Sequence, residues 1–91
     1  MIYLITYDLH KQGRNYQPVN DLLSKAGAIH PMGSVWLVDS TATTAQWRDA
    51  LQSVVDTNDE VFVARLVRQD WASFGFDKSA TTWLHSASRN W

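Results

Sequence analysis

The chain has no cysteine, which excludes a disulfide scaffold and any thiolate zinc centre. It has no apolar run approaching the roughly 20 residues that a helix needs to cross a bilayer. The opening MIYLITYD lacks both a basic n-region and a small-residue cleavage site. It therefore does not read as a secretory signal, and the expected location is the cytoplasm, with no membrane partner. A basic excess is missing too: 8 Lys and Arg stand against 9 Asp and Glu, for a net charge of −1. Phosphate neutralisation supplies much of the affinity of proteins that grip nucleic-acid backbones. This balance thus argues against strong, extended binding and leaves room for a local basic stripe, which a symmetric dimer can double. There is no P-loop, no Gly-rich dinucleotide turn, no nucleophile elbow, no zinc signature and no internal repeat.

What is present suits one compact domain. The 91 residues are 45% hydrophobic and 19% charged, an ordinary globular balance with too little chain for a second core. Five tryptophans are many for this length. They suit core volume and a subunit contact first, and a base-stacking surface second.

Ile2 to Tyr7 is apolar on both alternating faces, Ile2 and Leu4 on one and Tyr3, Ile5 and Tyr7 on the other, which predicts a central strand. The polar loop HKQGRN pivots at Gly13. Asn15 is placed to cap a helix that tolerates Pro18 in its first turn, carries Val19, Leu22, Leu23 and Ala26 on one stripe, and stops at Gly27. Ala28–Pro31 and Val35–Asp39 read as two short strands around a Met32–Gly33 turn, or as one bent strand. Thr43 and Gln46 form a capping-box pattern, and Trp47, Ala50, Leu51, Val54 and Val55 follow at helical spacing. After the turn at 56–59, Glu60–Val67 reads as a strand. The segment beyond holds Trp71, Trp83 and Trp91, and Asp77 or Ser79 can cap a short final helix through Trp83, Leu84 and Ala87.

This order predicts an α+β chain of the ferredoxin-like βαββαβ type, an antiparallel sheet with both helices on one face. The core spans residues 1–67, and the aromatic-rich segment 68–91 packs on the bare sheet face or on a partner subunit, with a homodimer favoured. In that topology the end of the first strand meets the start of the third. Asp8, His10, His30 and Ser34 then become neighbours, a set suited to a divalent metal or to acid–base work. The competing reading is plain: an Asp at a strand end often caps the following turn, and loop histidines are commonly just solvated, as expected for His85 in the tail.

MIYLITYDL, a helix ending KAGA, GSVWLV and DEVFVARL together resemble the CRISPR-associated Cas-two family and the related virulence-associated protein D group, over about residues 1–67. The resemblance implies a ferredoxin-like subunit in a two-fold dimer, with the aspartate matched by Asp8 binding Mg²⁺ or Mn²⁺ near the axis. It also implies metal-dependent cleavage of RNA or DNA, or a scaffolding role in DNA integration. Where the family has an arginine-rich stretch, this chain has only Lys11 and Arg14 to hold phosphates, and Ile29-His30-Pro31-Met32 replaces the usual Arg-Val-Gln. A stand-alone, divergent member is the expectation: an endonuclease, RNA favoured over DNA. The alternative is a non-catalytic nucleic-acid- or protein-binding dimer in a phage-defence or toxin–antitoxin setting. A small-ligand regulatory domain is a third possibility on so widely used a fold.

Overall fold

The computed structural model describes residues 1–10, 16–67 and 70–91. In chain order it contains β1 (Ile2–Asp8), α1 (Gln17–Lys25), β2 (Ile29–Met32), β3 (Val35–Asp39), α2 (Thr44–Gln52), β4 (Glu60–Leu66) and α3 (Lys78–His85). The four strands form one sheet in the order β2-β3-β1-β4. β1 is antiparallel to both of its neighbours, and β2 to β3. This small α+β arrangement is compatible with a ferredoxin-like fold. β1 lies inside the sheet, where a strand without a polar face belongs.

The two sides of the sheet are covered differently. Tyr3, Ile5 and Tyr7 of β1, with Trp36 and Val38 of β3, form one core with Val19 and Leu23 of α1 and Trp47 and Leu51 of α2. Ile5, Val19, Leu23 and Leu51 are fully buried, and each such side chain contributes roughly 1.5–3 kcal/mol through the area it removes from water. On the other side Ile2 and Leu37 are buried together with Ala80 and Leu84 of α3. Trp71 and Phe76 join Leu4, Leu37, Leu66 and Leu84 around a small apolar hollow of about 180 Å³. The C-terminal segment thus covers its own sheet over the first half of β1. The second half, towards Asp8, Glu60 and Phe62, stays exposed.

Local chemistry sets the element ends. α1 closes in a Schellman arrangement: the Gly27 N–H donates to Ser24 and the Ala28 N–H to Leu23, with Gly27 at φ +77°. Its N-cap is Tyr16, with no side-chain cap; the expected Asn15 cap and Gly13 pivot lie outside the described residues. At α2 the capping box is complete, the Gln46 N–H donating to Thr43 Oγ1 at 3.1 Å and the Thr43 N–H to Gln46 Oε1 at 2.8 Å. α2 ends at Gln52, earlier than its apolar spacing suggests. Val54 and Val55 pack on the core from the segment that follows. β2 runs on through Met32, so the hairpin turns at Gly33–Ser34, and Ser34 takes the left-handed conformation at φ +55°. The β2–β3 register shifts between Ile29 and Met32, which accommodates Pro31 at the sheet edge. Asp77 is the N-cap of α3 without a side-chain bond to the helix backbone, and the helix ends at His85, before Ala87.

Asp39 ties the two chain ends together. It lies 3.3 Å from the N-terminal ammonium, accepts the Asn90 N–H at 2.8 Å and sits 4.0 Å from Arg89. The Arg89 guanidinium lies over the Trp83 ring, 4.3 Å from its centroid. Among the described residues no helix is long and apolar enough to cross a membrane.

Candidate metal centre

Alternation along β1 puts Tyr7 in the helix-side core and Asp8 on the opposite face, beside Thr6. The next residue, Leu9, is buried again and belongs to the helix-side core. Holding Leu9 inward turns the chain so that His10 is exposed beside Asp8. The His10 N–H donates to Asp59 Oδ1 at 2.8 Å, while Asp59 Oδ2 accepts the Asp56 N–H at 2.8 Å. The turn before β4 is thereby pinned to the segment after β1. β4 then starts directly opposite the end of β1, with Glu60 paired in register with Asp8.

Three ligating side chains meet as a result. His10 Nε2 is 2.6 Å from Glu60 Oε1 and 3.7 Å from Asp8 Oδ2. One ligand atom from each of Asp8, His10 and Glu60 lies within 4.8 Å of the others, and all three residues are exposed. The hydrogen bond that His10 donates to Glu60 raises the His10 pKa above the usual histidine value; the Asp8 charge adds to it, and the charges of Glu60 and Asp59 contribute further. Two carboxylates and one imidazole are an oxygen-rich set that fits Mn²⁺ with all three groups, or Mg²⁺ with the carboxylates and waters. Among the described residues, no lysine or arginine forms an ion pair with Asp8.

His30 lies apart from this cluster. His30 on β2 stacks on Trp36, 4.1 Å between ring centroids at 10°. Trp36 belongs to the helix-side core, so the His30 ring lies on the opposite face from Asp8, with β3 between their strands. Ser34 occupies the β2–β3 turn directly before Val35, which pairs with Thr6, so the end of β1 meets the start of β3 as expected. Lys11 and Arg14 lie outside the described residues. His85, in α3, packs near Trp71 at 5.2 Å between centroids. Glu60 is the residue that sequence reasoning missed. The available signal was that a charged residue opens a mostly apolar strand which, in a ferredoxin-like order, flanks β1 on the side away from β3.

No protein-family model matches the chain, and no solved structure matches it.

Proposed function

We propose that the protein is a metal-dependent endonuclease of the Cas-two-like type, a homodimer of ferredoxin-like subunits that acts on RNA in preference to DNA. The observation that carries this reading is the meeting of Asp8, His10 and Glu60 at one exposed end of the sheet. Asp8 and Glu60 would hold Mg²⁺ or Mn²⁺, which supplies Lewis-acid polarisation of a phosphodiester and a water of lowered pKa. His10, released from Glu60, is within reach of the same site. As a neutral base it takes a proton from the attacking water, and as an acid it returns one to the leaving oxygen. Lys11 directly follows His10 in the chain, and Arg14 comes soon after. Both are proposed to hold the flanking phosphates. His30 and Ser34 have no direct part in this scheme. The preference for RNA rests on the resemblance to the virulence-associated protein D group, which includes toxin-like ribonucleases. A second copy would cover apolar side chains left open here, such as Phe74, which is fully exposed, and Met32.

One specific observation favours a second reading. The 2.6 Å contact between His10 and Glu60 already satisfies both groups without an ion. On that reading the cluster is a clamp between β1 and β4, and the protein is a non-catalytic binding dimer. Mn²⁺ titration separates the two. The endonuclease reading expects saturable Mn²⁺ binding that Glu60→Gln weakens at least tenfold. Equal, non-saturable uptake by both proteins would leave the clamp.

A further inference from the structure

Phe62 is 60% exposed on β4, an edge strand of the sheet. Its register partner is Thr6, and the next pair on the same face, two positions along the ladder, is Asp8–Glu60. Thr6, Asp8, Glu60 and Phe62 line one shallow depression of about 380 Å³. Phe62 also lines a second depression, of about 310 Å³, on the far side of the β4 edge, together with Thr44 and Arg48 of α2. Phe62 thus borders both the depression that holds Asp8 and Glu60 and the one that holds Arg48. Among the described residues Arg48 pairs with its sequence neighbour Asp49, at 2.9 Å, and both side chains are well exposed. Such a pair is worth little and re-forms easily with another anion.

We propose that Phe62 is a base-stacking platform: an unpaired nucleobase lies on its ring, and a phosphate of the same strand reaches Arg48. The inference rests on the endonuclease reading for the identity of the neighbouring site, and it adds a binding subsite to it. The occupant follows from the chemistry. A bare aromatic face accepts any base and none in particular. In a duplex both faces of a base are already covered, so the ring selects a single strand or a frayed end. A planar guanidinium matches phosphate oxygens. Two depressions that share Phe62, one with carboxylates and one with a guanidinium, suit the alternation of phosphate, base and phosphate along one strand. Asp8 and Glu60 repel phosphate on their own, so strand binding here requires a divalent cation. That requirement ties the platform to the cluster beside it.

The test uses the full-length protein, a single-stranded RNA octamer carrying one 2-aminopurine, and Mn²⁺. Anisotropy reports binding, 2-aminopurine quenching reports stacking, and a gel of the same samples reports cleavage. Stacking contributes about 1–3 kcal/mol per base, so Phe62→Ala should weaken binding by about 5- to 150-fold and abolish the quenching. Phe62→Trp should retain both, and Phe62→Leu should behave like Ala. Arg48→Gln should lower the affinity and reduce the salt dependence by about one ion. A blunt duplex of the same sequence should bind more weakly and be insensitive to Phe62→Ala. With Phe62 exposed, the variants should fold like the wild type, which circular dichroism checks.

Unchanged affinity and quenching in Phe62→Ala would overturn the proposal. So would a Phe62→Ala protein that loses self-association while its octamer affinity stays the same, since Phe62 would then be a contact between copies. Quenching that depends on Phe62 without cleavage under any metal would uphold the platform and remove the endonuclease reading. Metal-dependent cleavage that ignores Phe62→Ala would do the reverse.

Discussion

His10 Nε2 lies 2.6 Å from Glu60 Oε1, joining a residue just past the end of β1 to the first residue of β4 across 50 positions of sequence. The contact is exposed, so its value lies less in stability than in placement. It holds two potential metal ligands side by side and brings both next to Asp8.

That contact predicts a pH dependence. The folded-state pKa of His10 is raised, chiefly by the Glu60 hydrogen bond and then by Asp8. A raised pKa means that the folded state holds the proton more tightly than the unfolded one. The stabilisation is fully present below the unfolded histidine value, near 6.5, and is lost as the pH rises through the higher folded value. Denaturant midpoints measured from pH 5.5 to pH 8.5 should fall across that window in the wild type. The fall should be smaller in His10→Asn. A metal competes with this proton, so Mn²⁺ affinity should rise over the same pH range.

The sequence made much of this legible, for physical reasons. β1 is apolar on both faces and can only be an interior strand. Gly27 and the Thr43–Gln46 pair are local devices that work without tertiary help. Glu60 was not legible because its role depends on register. The end of β1 meets the start of β3, Thr6 facing Val35, and also the start of β4, Asp8 facing Glu60; following only the first neighbour leaves Glu60 out. His30 was misplaced for a related reason: strand alternation across a shifted register turned its ring onto Trp36. The early end of α2 was hidden because Val54 and Val55 keep helical spacing while packing on the core from outside the helix.

The covering of the second sheet face is testable at Leu84, a buried residue of α3. Leu84→Ala should cost about 2–5 kcal/mol in urea unfolding, a large share of the stability of a domain this size. A loss under about 0.5 kcal/mol would show that α3 does not hold this face in solution.

Phe74, fully exposed on the segment before α3, tests the homodimer. Phe74→Ser should leave the unfolding free energy of the subunit within about 0.5 kcal/mol. Sedimentation should show weaker self-association. A wild type that is monomeric at all concentrations would remove the dimer from the account.

The capping box of α2 sets how firmly Trp47 and Leu51 are presented to the core. Thr43→Ala should cost about 1 kcal/mol and lower Tm by roughly 4–8 °C, whereas Thr43→Ser should restore most of the loss. Equal effects from both substitutions would mean that the methyl group, and not the hydroxyl, is what matters.

The most direct test of the metal centre is cleavage of labelled single-stranded RNA and duplex DNA by the wild type and by Asp8→Asn, with Mg²⁺, Mn²⁺ or EDTA. The wild type should cleave RNA with Mn²⁺ and not in EDTA, and Asp8→Asn should lose the activity with the protein still folded. Equal cleavage by both proteins, or none of either substrate under any metal, would contradict the endonuclease reading.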